Sequence, residues 1–507
     1  MSRVVAGSAA PRRLTSNRSV VEAFAALLLA LILLYCLTAA ASNFTGSLAV
    51  VLPAGALLCA YLFFNPRIEL SLALVMLYLG LADGYLKLST GNSQVSALRD
   101  LLLYVIVAGV LVRACVTGTR LRLPRYSMHV LIFVLFVLVQ GLNPETPGLR
   151  GAVGGLKQHV EFVPLFFLGY MCMRSQSRLQ WFFVLLLGIT AANAIVAVIQ
   201  YNLTPEQFAS WGPGYADRIL GRGAFEGSAR TFENALTVTR VRPFGLGSDS
   251  GASGILGWLA IPGALALIAV ASDAKGRVLG ALGAIACATG IAAAQSRGVV
   301  IAGIFAVLVF ASLSVSSREA TRSLLTLTLA AILAYAAISA FVSNTDPASF
   351  GRLNTLSQGR APQTITTDRG GSATLIPTYA VRYPLGVGLG RAGPATGYGG
   401  ESSGLNTENE FNFLIGEIGT VGMLILLTLW VRLLVDGVRR VRLTTDPRTR
   451  FFLAAIVTTV ATILLVWLQA SPTSGLPSAP VFWLAAGIIS WAATEEGFRG
   501  PGDRHVI

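Results

Sequence analysis

The sequence predicts an all-α polytopic membrane protein, with twelve to fourteen transmembrane helices and two long extracytoplasmic loops. Three observations carry that prediction. Hydrophobic residues form 54% of the 507-residue chain and charged residues 12%, and the mean hydropathy is +0.67. A soluble domain carries about 25% charge, so this surface could not be wetted by water. The apolar residues fall in runs of membrane length, and the basic residues alternate between the two ends of those runs.

A hydrocarbon core about 30 Å thick needs roughly 20 apolar residues of helix. A polar segment, 1–21, precedes the first group of runs, which occupies 22–201: 22–41, 46–64, 70–88, 99–116, 127–142, 159–173 and 180–201. The first run resembles a long signal peptide ending in Ala39-Ala40-Ala41. Its apolar stretch exceeds a usual signal core, so it reads as an uncleaved anchor. After the loop 202–250 come 251–271, 277–294, 298–314 and 323–342, within 251–342. After the second loop, 343–411, come 412–434, 451–469 and 478–493, and 494–507 is a tail. The runs 127–142, 159–173 and 478–493 are the shortest, hence a range of twelve to fourteen spans.

Placing the N-terminus in the cytoplasm puts 23 Lys and Arg with nine acids on the inner side, whereas the short outer connections hold five basic residues. This is the positive-inside asymmetry. It accounts for the net charge of +14 without a nucleic-acid partner. The two long loops each carry five arginines and five acids. Loops of this length in a compact protein are functional or disordered. The five cysteines lie in or at the ends of apolar runs, and His129, His159 and His505 are scattered. Neither pattern makes a disulfide framework or a metal site, and no cofactor motif appears.

Gly388-Leu389-Gly390-Arg391-Ala392-Gly393 matches G-x-G-x-x-G, but no helix opens after it. It therefore reads as a tight loop approaching a ligand or a helix end rather than a dinucleotide site. Arg297 stands between two apolar runs with no loop beside it. It either snorkels to the headgroups or binds an anion. Arg242 precedes the run at 251; it either pairs with a loop acid such as Asp249 or offers its planar fork to a phosphate.

The densest polar cluster is Asn406-Thr407-Glu408-Asn409-Glu410-Phe411-Asn412, followed by Glu417 inside an apolar run. An acidic first turn suits the helix dipole and explains Glu408 and Glu410. It does not explain Glu417, because an intramembrane acid is a functional candidate by default. Lys157, His159 and Glu161 open the sixth run on the outer side and could line the same cavity, as could Arg382. Asp83 and Arg99-Asp100 read as ion pairs or interfacial anchors.

Tyr383-Pro384-Leu385-Gly386-Val387-Gly388-Leu389-Gly390, the following Glu408-Asn409 and the Glu417-x-Gly419-x-x-Gly422 helix together resemble the O-antigen ligase and polymerase family. Ser296-Arg297-Gly298 and Arg242-Pro243-Phe244-Gly245 resemble two further elements of that family, and Arg369 sits where its members often carry an arginine. The likeness runs over roughly residues 150–435 and rests on the order of short motifs.

The resemblance implies a metal-independent, C-type glycosyltransferase architecture in a bacterial plasma membrane. Its donor would be an undecaprenyl-pyrophosphate-linked oligosaccharide and its acceptor a glycan. Arg242, Arg297 and Arg369 would hold the pyrophosphate. Glu408, assisted by Asn409 or Glu410, would position or deprotonate the acceptor hydroxyl under the closing loop 343–411. Many members carry His-Asn where this chain has Glu408-Asn409, so a carboxylate would fill that role. Polymerisation is the first expectation, ligation to another acceptor the second. A lipid-linked oligosaccharide flippase is the rival from a different class, but the paired broken helices of such a transporter are not evident.

Overall fold

A computed structural model describes residues 48–91, 95–118, 121–221, 231–233, 239–314, 370–393, 396 and 403–494. The expected spans 22–41 and 323–342, the segment 1–21, all but the first residue of the tail 494–507, and Arg369 lie outside the described residues.

The chain is overwhelmingly helical. The first group of helices is α1 (Leu48–Phe64), α2 (Ile68–Thr90), α3 (Val95–Thr117), α4 (Ser127–Gln140), α5 (Gly148–Val160), α6 (Pro164–Cys172) and α7 (Gln176–Tyr201). The first long loop folds into α8 (Pro205–Ala209), α9 (Pro213–Leu220) and a ribbon of β1 (Thr231–Glu233) and β2 (Thr239–Val241). Then follow α10 (Ala252–Val270), α11 (Ala274–Ala293), α12 (Arg297–Ser314), α13 (Gly370–Arg382), α14 (Glu410–Leu443), α15 (Pro447–Val466) and α16 (Ser478–Ala492). Among the described residues eight helices are long and apolar enough to cross a membrane: α2, α3, α7, α10, α11, α12, α14 and α15. The chain is a multi-pass membrane protein.

Two features depart from the sequence expectation. The antiparallel ribbon, with Phe232 opposite Arg240, is β structure in a chain expected to be all helix. The run 159–173 is not one span. The polar, glycine-rich stretch before it is already helical as α5, and the chain turns at Glu161–Val163 before α6 restarts with Pro164 in its first turn. Proline has no N–H to continue a preceding helix, but fits the first turn of a new one.

The core lies around α10 and α15, which pack on each other and on α12, with α10 also against α7 and α11. Helix α16 is buried on every face, as its uniformly apolar sequence requires. It meets α6 through reciprocal small residues. A Cβ added to Gly487 would lie 2.1 Å from the Phe166 carbonyl, and one on Gly169 would lie 2.5 Å from the Leu484 carbonyl. Small residues let helix backbones approach and pack where lipid supplies no hydrophobic drive.

The outward faces are apolar. Leu131, Leu135 and Leu138 of α4, Leu279, Leu282 and Ile285 of α11, and Leu424, Val431 and Val435 of α14 are all exposed at helical spacing. Such stripes suit contact with acyl chains and would be aggregation sites in water. A separate small core forms beside the membrane helices, where Leu88 at the end of α2 packs with Phe208, Tyr215, Val241 and Phe244 of the first long loop. That loop is thereby docked onto α2.

The α6–α16 contact gives a direct test. Gly487→Val should overpack the interface and cost about 1–3 kcal/mol or more, lowering the thermal midpoint of the purified protein in detergent. Gly188→Ala, where an added Cβ meets nothing within 4 Å, should leave the midpoint near that of wild type.

Candidate functional site

Glu417, His159 and the G-x-G-x-x-G segment gather around a break in α14. Asn409 caps this helix by accepting from the Asn412 N–H at 2.8 Å. At Gly419 the backbone leaves helical geometry, with φ 74° and ψ 172°. A break leaves backbone donors and acceptors that hydrocarbon cannot satisfy. The segment after α13 satisfies them. Val387 N donates to the Gly416 carbonyl at 2.7 Å, while Thr420 N and Val421 N each donate at 3.3 Å to the carbonyls of Tyr383 and Pro384. The Thr420 hydroxyl adds a bond to the Ala380 carbonyl at 2.7 Å. A Cβ on Gly419 would lie 2.4 Å from the Pro384 oxygen, so both its left-handed φ and its closeness demand glycine.

Two residues before the break, Glu417 is fully buried. Its carboxylate accepts from the backbone N–H of Gly390 at 2.9 Å and of Ala392 at 2.7 Å. His159 Nε2 stands 3.7 Å from it, and the imidazole stacks on Phe413 with centroids 5.2 Å apart. The G-x-G-x-x-G segment is therefore a backbone cradle for a carboxylate. Gly390 also packs on Gly151 of α5, where a Cβ would come within 2.7 Å of backbone. Charge-assisted bonds of this kind are about twice as strong as neutral ones. They account for an acid inside an apolar helix.

Glu408, Asn409 and Glu410 differ sharply in exposure. Glu408 is exposed, on a turn in which its N–H donates to Asn406 Oδ1 at 3.1 Å. Asn409 is fully buried and donates to the Ser372 hydroxyl at 3.1 Å, while Asn412 donates to the Ser372 carbonyl at 2.7 Å. Glu410, also fully buried, accepts from Thr473 N–H at 3.2 Å and from the Thr473 hydroxyl. Asn409 and Glu410 thus brace the turn that presents Glu408.

Arg242 directly follows β2 and is 9% exposed. Its Nε has no partner, and the described residues give its guanidinium no hydrogen bond or ion pair. Asp249 pairs with Arg218 instead. An uncompensated buried charge costs several kcal/mol. Arg297 is the first residue of α12. The stretches carrying the two arginines meet at the start of α10. Gly251 N donates to the Pro243 carbonyl at 2.8 Å, and a Cβ on Gly254 would lie 2.6 Å from both Ala294 and Val299. Gln295, in the turn before Arg297, has φ 46° and a buried, unpartnered Oε1. Backbone of this kind costs about 1–3 kcal/mol for a side chain other than glycine and clusters at functional sites.

The remaining candidates are engaged elsewhere. Lys157 pairs with Asp100 at 2.6 Å. Arg99 joins Asp83 and Asp100, each at 3.4 Å, and Glu161 at 2.9 Å, closing an ion network beside a π turn at Tyr78–Ala82. Arg382 is exposed and lies over the Tyr383 ring. No described contact joins Arg242 or Arg297 to Glu408. The loop between α15 and α16 borders both clusters. Thr473 bonds Glu410, Gln158 of α5 donates to the Ser474 carbonyl at 2.7 Å, and Leu476 and Pro477 line a small cavity with Gly247, Ser248 and Ala252. Ser372 and Thr473 escaped sequence reasoning because each lies far along the chain, 37 and 63 positions, from its partner.

Compared with known proteins, the chain matches no protein-family model and no curated protein.

The Glu417 cradle is testable. Glu417→Ala removes the acceptor of two buried N–H groups, each worth about 1.5–3 kcal/mol when bonded to a charge. Limited proteolysis should cut within 383–393 at least ~10-fold faster than in wild type, and Glu417→Gln, which keeps one oxygen, should fall between them.

Proposed function

We propose that this protein is a polysaccharide polymerase of the O-antigen ligase and polymerase family. It transfers glycan from undecaprenyl pyrophosphate to a sugar hydroxyl of an acceptor glycan at the outer face of a bacterial plasma membrane. The observation that carries this reading is Arg242, a buried arginine with no described protein partner, in a stretch that meets the start of α10, where the turn leading into Arg297 also packs. A diphosphate supplies the missing negative charge, and a planar guanidinium can grip it through two parallel bonds.

In this reading an acceptor hydroxyl oxygen attacks the anomeric carbon of the donor. The new C–O bond forms as the bond from that carbon to the pyrophosphate oxygen breaks, with inversion. The hydroxyl proton passes to Glu408, and the lipid pyrophosphate leaves with the electron pair. Arg242 and Arg297, with Arg369 as a third cation, stabilise the charge that develops on the leaving group. Glu408 suits the acceptor role because it is exposed while its neighbours are locked in place. Asn409 and Glu410 act as positioning residues. Donor and acceptor approach from the two clusters that border the α15–α16 loop.

The test is reconstitution with a synthetic undecaprenyl-pyrophosphate-linked repeat unit, with product length read on a gel. Polymerisation gives a ladder; one discrete addition to a second supplied acceptor would mean ligation. Transbilayer movement of the lipid-linked sugar with no new bond would overturn the enzyme reading. Arg242→Ala and Arg297→Ala should each lower turnover about 10²–10³-fold. Glu408→Gln should lower it about 10²–10⁴-fold without changing the thermal midpoint.

A further inference from the structure

A cavity lies far from this polar end, on the last turns of α14. It is a trough of about 560 Å³ lined by Leu434, Val435, Val438, Arg439, Arg442 and Leu443. Above it the same face continues as exposed Val431 and Leu424, so an apolar stripe descends the helix and ends in two guanidinium groups. Arg439 and Arg442 are three residues apart and therefore neighbours on the helix surface.

Several other arginines have protein partners. Arg125 pairs with Asp436 at 2.8 Å, Arg432 meets His129, Arg178 pairs with Glu69, and Arg174 lies over Tyr170 and Trp491. Arg439 and Arg442 are exposed and have no ion pair or hydrogen bond among the described residues. Asp436, the acid of this part of α14, is engaged by Arg125 and Tyr126, so no described acid of α14 neutralises the trough. The helix C-terminus contributes about half a negative charge, which offsets only a quarter of the two cations.

We infer that this trough binds one anionic phospholipid, its phosphate between Arg439 and Arg442 and an acyl chain along Leu434, Val435 and Val438. The cavity lies within the usual range for small-molecule sites, about 300–1,000 Å³. The apolar stripe above the cation pair selects a lipid over a bare anion. This inference does not depend on the glycosyltransferase reading.

Native mass spectrometry of the detergent-purified full chain, titrated with phosphatidylglycerol or phosphatidylcholine of identical chains, tests it. One phosphatidylglycerol should bind wild type at least ~10-fold tighter than phosphatidylcholine. The preference should vanish in Arg439→Ala/Arg442→Ala and persist in Arg277→Ala, which removes an exposed arginine elsewhere. If the double alanine variant fails to fold, Arg439→Gln and Arg442→Gln made singly replace it, each expected to weaken the preference at least ~3-fold. Inorganic phosphate at tenfold excess should not displace the lipid. Equal retention of the two lipids, a preference unchanged by the substitutions, or displacement by phosphate would each overturn the assignment.

Discussion

Hydrocarbon tolerates a broken helix only where something else completes its hydrogen bonds, and that constraint organises the polar end of this protein. Helix α14 breaks at Gly419, and the chain from Tyr383 to Val387 supplies the missing partners. Glu417 then draws the next turn, Gly390 to Ala392, onto itself. The same stitching presses Gly390 against α5, and so aligns Lys157, Gln158, His159 and the following Glu161. These four residues reach four different parts of the fold: Asp100, the α15–α16 loop, Glu417 and Arg99.

Charge at this end takes two forms. Around Arg99 each cation is paired, because three carboxylates surround one guanidinium and Lys157 joins through Asp100. A network of this kind fixes the relative positions of α2, α3 and α5. Arg242 is the opposite case. It is as buried as many core residues yet has no described counter-charge, because Asp249 is engaged by Arg218. This sets the region around the start of α10 apart from the closed network nearby.

The cluster around Glu408 shows the same division of labour on a smaller scale. Asn409 and Glu410 spend their polar atoms on Ser372, Asn412 and Thr473, which ties α13, α14 and the α15–α16 loop together. Only Glu408 of the three acidic-turn residues keeps an exposed side chain. Rigid support beneath one accessible carboxylate is what preorganised acid–base chemistry requires.

Hydropathy is local and additive, and so the sequence by itself determined the fold class and most span positions. Helices α2, α3, α7, α10 to α12, α14 and α15 coincide with apolar runs because lipid imposes length and composition residue by residue. The glycine-rich loop was legible as a tight approach for a similar reason, since few residues other than glycine allow it. The tertiary structure alone decided that Glu417 meets that loop, that Ser372 and Thr473 brace Asn409 and Glu410, and that Asp249 pairs with Arg218 and not Arg242. It also turned a polar stretch into α5. Those outcomes depend on which distant segments the packed chain brings within bonding distance, and no local pattern encodes a partner dozens of residues away.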